Sequence, residues 1–292
     1  MPKLSARVVD DLADLGALAG RHDPAAILIS GAVAEPALAG RVRAWAVGPP
    51  GEELGVAAAI EVTPGRWTAS VLCLDPRAAP VLARVLVASP ARWLSGTAAH
   101  VEPVLAQWPG STALRLPLRS SNHEEVVRFP EHDPRIRPAG PGDVAALVRL
   151  YGSSDLELLG PALGEAVERL VADHRVVLAE VGGELVGAIR CELRSPRYDW
   201  WSGLWVAPEH RRTGLATALH RRAGEVSVAL GRRAVGAAAP SNHMVPRHQP
   251  AEDVWLEAAV PAPPPSWRAR ARRKARRTWR RTGGRRVLRS PR

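Results

Sequence analysis

Gly203-Leu-Trp-Val-Ala-Pro-Glu-His-Arg-Arg-Thr-Gly-Leu-Ala-Thr-Ala-Leu-His-Arg-Arg-Ala223 is the stretch whose reading decides the fold. Leu204-Trp205-Val206 is a short apolar run that predicts a buried strand. Pro208 ends it, because proline cannot donate to a strand ladder. A polar turn follows over residues 209–213. Beyond it Leu215, Leu219, Ala223, Val226 and Leu230 recur at offsets of four, four, three and four, which trace one face of a helix. The N–H groups of a first helical turn have no acceptor inside the helix, and the macrodipole makes that end partly positive. A strand, a turn holding Gly214 and an open helix start together predict an anion site suited to a phosphate ester. The dipole alone contributes about 0.3–2 kcal/mol, so several amides and Arg211 or Arg212 have to act together.

Arg211-Arg212-Thr213-Gly214-Leu215-Ala216 resembles the Arg/Gln-x-x-Gly-x-Gly/Ala signature of the GNAT superfamily of acyl-CoA-dependent N-acyltransferases, and Val206-Ala-Pro-Glu209 is similar to its strand end. The resemblance implies that Arg211, Arg212, Thr213, Gly214, Leu215 and Ala216 hold the pyrophosphate of acetyl-CoA, a co-substrate. It also implies that Trp205 and Val206 offer their backbone to the pantetheine arm. Without the resemblance, the same residues describe an ordinary strand-turn-helix junction with a glycine for tight packing.

A chain of 292 residues with 46% hydrophobic residues can bury a large core, and its length suggests two domains. No apolar run approaches the roughly 18 residues of a membrane span. Asp10, Asp11 and Asp14 near the start argue against a signal peptide. Cys73 and Cys191 are the two cysteines, too few for a disulfide framework or a cysteine metal site. A cytoplasmic protein is the expectation. The net charge is +11, of which residues 266–292 alone supply +13, leaving the rest at −2. Excess basicity thus belongs to one terminal segment and not to the folded body.

The order of elements repeats. Residues 8–19, with Val9, Leu12, Leu15 and Leu18, predict a helix, and residues 25–34 a second one. Runs 42–47, 55–62 and 67–74, separated by Pro/Gly turns, predict an antiparallel meander. A helix over 80–88, a strand over 92–98, a helix over 100–108 and a closing strand over 114–118 follow. From about Ile136 the layout recurs. Asp143 caps a helix over 144–151, a second helix carries Leu156, Leu159, Leu163 and Val167, and Gly182-Gly183 joins strands 175–181 and 185–193. Strand 200–206 and the motif helix come next. The resulting expectation is an α/β (α+β mixed-sheet) protein of two GNAT-like domains in tandem. Residues 1–130 form a degenerate N-terminal domain, 131–245 the acyl-CoA-binding domain, and 246–292 a disordered Pro/Arg-rich tail. In the first half the corresponding stretch, Leu72-Cys-Leu-Asp-Pro-Arg-Ala-Ala79, has no glycine, and Asp75 would repel a pyrophosphate.

Acyl transfer to an amine needs a free lone pair, which costs roughly 4 kcal/mol at pH 7 for an alkyl ammonium. A general base is the usual remedy. Glu192 and Asp199 are the candidates, with Glu209 a turn residue of lesser claim. The amides of Trp205 and Val206 are candidate donors to the thioester oxygen. The resemblance further implies a strand, an asparagine and a Tyr-bearing helix after the motif helix. Residues 233–239 predict the strand and Asn242 is the asparagine, counted with the cofactor-binding set. Pro246 and Pro250 interrupt any helix, and no Tyr follows Tyr198. The C-terminal part of the family domain is therefore expected to be absent. Tyr151 and Asp155 are candidates for the acceptor groove, and His210 and His220 border the motif.

Three functions remain open to the sequence. The first is an N-acetyltransferase acting on an amine acceptor. The second is a non-catalytic acyl-CoA-binding or regulatory module, favoured by the missing Tyr. The third is nucleic-acid binding through the tail, where Trp267 and Trp279 stand among the arginines. Against the third stand a tail without a selected role and a shifted reading frame after about Met244.

Overall fold

The computed structural model describes residues 4–120, 133–152, 163–237 and 253–262. Two runs of similar order build them. The first is β1 (Ala6–Val9), α1 (Leu12–Arg21), α2 (Ile27–Ala34), β2 (Val42–Val47), β3 (Gly55–Thr63), β4 (Arg66–Cys73), α3 (Ala79–Ala88), β5 (Trp93–Thr97), α4 (Ala98–Leu105) and β6 (Ala113–Ser120). The second is β7 (Ile136–Pro138), α5 (Val144–Gly152), α6 (Leu163–Ala172), β8 (Val176–Val181), β9 (Glu184–Arg194), β10 (Tyr198–Val206), α7 (Leu215–Ala229), β11 (Arg233–Ala237) and β12 (Asp253–Ala259). Gly182 and Gly183 both take positive φ, 61° and 85°, and so close the β8–β9 hairpin as a mirror-image turn requires.

Two short strands open the halves where the hydrophobic period suggested helix or loop. Residues 6–9 pair antiparallel with β2, Ala6 opposite Val47 and Val9 opposite Ala44. The helix starts only after Asp11, whose carboxylate accepts the Ala13 N–H at 2.8 Å and fixes the boundary. Likewise Ile136–Pro138 pairs with β8. The stretch with Leu156 and Leu159 lies outside the described residues, and Leu163 and Val167 lie on α6.

The twelve strands of the described residues join one sheet in the order β1-β2-β3-β4-β5-β12-β6-β11-β10-β9-β8-β7. Pairing is parallel at β4–β5 and β10–β11 and antiparallel elsewhere. The centre shows how the tandem closes. β12, from the end of the second half, pairs with β5 of the first, and β6, from the end of the first half, pairs with β11 of the second. β6 and β12 then pair with each other over six residues, from Asp253 opposite Leu118 to Ala258 opposite Ala113. Each half is completed by the other's last strand.

This corrects the expectation of a disordered tail over the whole of residues 246–292. The tail assigned to 246–292 contains β12, and Trp255 and Leu256 there are fully buried. The strand escaped notice because its partners stand more than 130 residues earlier in the chain, so no local hairpin announces it. Of that assigned tail, residues 246–252 and 263–292, with all its basic residues, lie outside the described residues.

Helices cover both faces. α1 and α2 pack on one face of the first half, and their core includes Leu193, Tyr198, Trp200 and Val235 of the second. A Cβ at Gly31 of α2 would sit 2.9 Å from the Leu193 Cβ, so glycine is what lets the helix lie this close to β9. α3 and α4 cover the opposite face. α7 covers one face of the second half, and α5 and α6 the other. The fully buried Glu35, just past α2, pairs with Arg175 at the start of β8, and Arg169 approaches the same carboxylate at 3.4 Å. Two cations around one buried carboxylate compensate its desolvation.

Trp255 fills the junction of the exchanged strands. Trp255→Ala is expected to cost about 3–5 kcal/mol of stability, the usual range for emptying a core aromatic site, read as a lowered urea midpoint in one cooperative transition.

Candidate functional site

The anion loop of the sequence sits at the end of β10. Ala207 N–H donates to Val186 O at 2.8 Å, Pro208–His210 form a single 3-10 turn, and Arg211 Nε donates to Val206 O at 3.0 Å. Arg211 thus ties the loop to the last carbonyl of the strand. Thr213 Oγ1 donates to His210 O at 2.6 Å, and the exposed Arg212 takes a left-handed φ of 64°. Gly214 is the helix N-cap at φ 85° and has no side chain to offer the first turn. The first bond of the helix that returns to Gly214 comes from Ala218 N–H at 3.0 Å. Leu215, Ala216 and Thr217 precede that bond, so their N–H groups have no acceptor within the helix. Leu215 and Ala216 are buried, whereas Arg211 to Gly214 are exposed. Open space surrounds Gly214, with nothing within 4 Å of a Cβ built there. A surface groove of about 720 Å³ runs from Gly214 past Thr217 and Arg221. The residues fit a bound diphosphate in charge, in free donors and in room.

Beside the loop the sheet opens. β10 and β11 pair in parallel only from Tyr198↔Arg233 to Trp200↔Val235, after which β11 continues with β6 as its partner. Gly236 marks the last close approach, since a Cβ there would lie 2.8 Å from Trp201 O. Residues 202–206 therefore keep β9 on one side and have no ladder partner on the other among the described residues. Trp205 and Val206 stand at the open end, opposite Ala188 and Gly187 of β9.

Two bulges shape β9 and β10 on the way to that opening. Trp200 faces Leu193 while Trp201 faces Cys191, so Glu192 is the extra residue on β9. Ser202 faces Arg190 while Trp205 faces Ala188, so Gly203 and Leu204 oppose the single Ile189. Gly203 takes φ 61°, and a Cβ on it would fall 1.8 Å from Arg190 Nη1. Both the backbone and the guanidinium thus demand glycine. Arg190 is almost fully buried, donates through Nη2 to Glu192 Oε1, and lies 5.1 Å from the centre of the Tyr151 ring. Burial raises the Tyr151 phenol to about 12, with Arg190 opposing that shift. Tyr151, Arg190, Glu192 and Gly203 form one cluster against the open strand. Arg190 and Gly203 were not singled out in the sequence. The available signal was an isolated glycine inside an apolar strand, which commonly marks a bulge or a close approach.

The other carboxylate lies elsewhere. Asp199 is fully buried at the closed end of β10, where it still pairs with β11. Its Oδ2 accepts from Ser227 Oγ at 2.8 Å, and Ser227 Oγ accepts from Trp201 Nε1 at 2.8 Å. Arg194 and Arg232 approach Oδ1 at 3.4 and 3.8 Å. Burial raises the Asp199 carboxyl, against hydrogen bonding by Ser227 and the field of the arginines. The chain Trp201–Ser227–Asp199 anchors the C-terminal part of α7 to the sheet, which is a structural duty and corrects its candidacy as a base. Asn242 and Asp155 lie outside the described residues. Glu209 and His210 sit in the 3-10 turn, and His220 is on α7.

At the matching place in the first half, Asp75 fills the loop itself. Its carboxylate accepts the Arg77 N–H at 2.8 Å and binds the Arg77 guanidinium at 2.6 Å, which holds it below the usual carboxylate range. The 3-10 turn Pro76–Ala78 that leads into α3 is therefore already capped by an acid.

Residues 145–246 match the profile of the Acetyltransferase (GNAT) family. Comparison with curated protein sequences finds no match. Among solved structures, the chain is similar to a GCN5-related N-acetyltransferase from Sphaerobacter thermophilus (17% identity, 90% of this chain and 98% of that one, TM-score 0.61). It is also similar to a tandem GNAT protein from the clavulanic acid biosynthesis pathway (15% identity, 90% and 99%, TM-score 0.54). A GNAT-family acetyltransferase from Colwellia psychrerythraea gives 14% identity, 88% and 100%, and a TM-score of 0.57. At these identities the likeness is one of fold.

Two substitutions check the geometry. Gly203→Ala should lose at least about 1–2 kcal/mol from the left-handed backbone alone, seen as a lower thermal midpoint. Ser227→Ala leaves Asp199 and the Trp201 indole without their shared hydroxyl and should cost about 1–3 kcal/mol, read as a lower urea midpoint.

Proposed function

We propose that this chain, whose residues 145–246 form a GNAT-family domain within a tandem GNAT fold, transfers an acetyl group from acetyl-CoA to a primary amine. The observation that carries the reading is the exposed loop from Arg211 to Gly214 beside a strand whose residues 202–206 have no second ladder partner among the described residues. Free N–H groups of the first turn of α7 would hold the diphosphate, with Arg212 adding charge and Gly214 leaving room. The edge of β10 over residues 202–206, without a second ladder partner among the described residues, would take the pantetheine arm as an added strand. Amides of Trp205 and Val206 would polarise the thioester carbonyl. Asn242 is kept as a further cofactor contact from the family pattern.

In this reading Glu192 is the base. It stands on the bulge beside the open strand, partly exposed and oriented by Arg190. It takes a proton from the acceptor ammonium, directly or through one water, and the freed nitrogen attacks the carbonyl carbon. The new C–N bond forms as the C–S bond breaks, the nitrogen gives up its second proton to solvent as the amide forms, and the leaving thiolate collects a proton from solvent. Low-polarity walls on both sides, Trp201 and Tyr151 among them, would keep the hydrogen bonds of the site strong.

One observation favours a second reading, an acyl-CoA-binding module without turnover. The two tyrosines, Tyr151 and Tyr198, are both buried, and neither stands on the exposed loop as a donor to a thiolate. Release of free thiol from acetyl-CoA in the presence of an amine panel separates the two readings: calorimetric binding without thiol leaves only the module.

Gly214→Asp should weaken acetyl-CoA at least tenfold by placing an anion where the diphosphate goes. Glu192→Gln should lower kcat by about 10²–10⁴ while calorimetric affinity for acetyl-CoA stays unchanged.

A further inference from the structure

Outside the loop, the central strands enclose a second space. A cavity of about 300 Å³ opens on the α1–α2 face where the halves meet. Thr68 of β4, Ser95 of β5, Glu257 of β12 and Glu192 of β9 line it, and the indoles of Trp200 and Trp255 form its wall. Those two rings touch at 4.8 Å between centres and tilt by 41°. Leu28, Leu38 and Ile60 make the remaining surface apolar.

The polar side of this cavity is incomplete. Glu192 is held by Arg190. Glu257 is partly buried, and no ion pair or hydrogen bond of its carboxylate exists among the described residues; burial alone raises its carboxyl. Ser70 and Thr97 fall on the same strand faces as Thr68 and Ser95, are fully buried, and their hydroxyls have no partner. Buried polar groups are normally satisfied. Ser70 and Thr97 lie one position further along the same strand faces and do not line the cavity. Its own unpartnered polar group among the described residues is the Glu257 carboxylate, facing Thr68 and Ser95 across a wall of two indoles. Arg66 and Arg92 line an adjoining groove of about 420 Å³ that also reaches Glu257.

We infer that this cavity binds a primary ammonium carried on a short apolar body, with the ammonium at Glu257 and Glu192 and the carbon chain against Trp200 and Trp255. A cation beside carboxylates gains charge pairing, and its carbon chain buries apolar area against the indoles. Neither half holds the cavity alone: Glu257 and Trp255 arrive on the exchanged strand β12, and Glu192 and Trp200 on β9 and β10. On the transferase reading, which this role depends on, the guest is the acetyl acceptor. Glu192 then serves both the cavity and the transfer. Binding of the ammonium itself depends on no acyl donor.

The test is a titration of the full chain with n-butylammonium chloride and with n-butanol, read by indole ¹H–¹⁵N chemical shifts of Trp200 and Trp255. Butylammonium should shift both indoles saturably and bind at least tenfold more tightly than butanol. Glu257→Gln should remove most of that preference. Ser95→Met, which fills the space and keeps both carboxylates, should abolish the shifts even if Glu257→Gln fails to fold. Equal binding of alcohol and ammonium overturns the inference, as does wild-type affinity in either variant. A protein that binds butylammonium but releases no thiol from acetyl-CoA keeps the cavity and loses the transferase reading. One that acetylates butylamine with an unchanged KM in Glu257→Gln keeps the transferase and loses the cavity.

Discussion

The pairing of β6 with β12 is the interaction on which the rest of the structure depends. Each half begins as an open run of five strands whose last member, β5 or β11, would show a bare edge. An exposed edge is a template for unwanted pairing. Here the two edges are satisfied reciprocally, and the two borrowed strands bond to one another in the middle. Trp255 and Leu118, both fully buried, lie at this seam and carry the packing that makes the exchange stable.

The same arrangement makes the opening beside β10 possible. β10 pairs with β11 only through Trp200, and residues 202–206 have no second ladder partner among the described residues. A strand freed of one neighbour must have its residues held by something else. Bulges at Glu192 and at Gly203–Leu204 do this on the β9 side, and the Arg190 guanidinium packs into the hollow that glycine leaves. The two halves differ in the turn that follows. Gly214 directly precedes α7 and offers no side chain to its first turn, whereas in the first half Asp75 occupies the loop and caps the 3-10 turn Pro76–Ala78 with its own carboxylate. One fold thus presents a receptive loop once and a self-capped loop once.

Much of this was legible in the sequence where the signals are local. The helical period after Gly214, the Gly182-Gly183 turn and the repeated order of elements all point to the observed tandem α/β sheet, and the strand, loop and helix of 204–219 stand where their pattern places them. What the sequence concealed is non-local. Strand β12 is paired only with segments far away in the chain, and so it read as the start of a tail. Strand β1 was absorbed into a helical period because Val9 fits both patterns. At the site, Glu192 and Asp199 look alike as acidic residues near an apolar strand. Their difference arises from a bulge and from Ser227 on α7, 28 residues beyond Asp199, neither of which a pattern of apolar spacing reveals.

The crossed strands also alter what one chain break would do. A cut between residues 120 and 133 would free two pieces, each holding five strands of its own and the strand that the other lacks. Neither fragment could close its sheet in isolation, yet together they would still interlock. In this molecule the covalent link between the halves is less essential than their mutual loan of an edge.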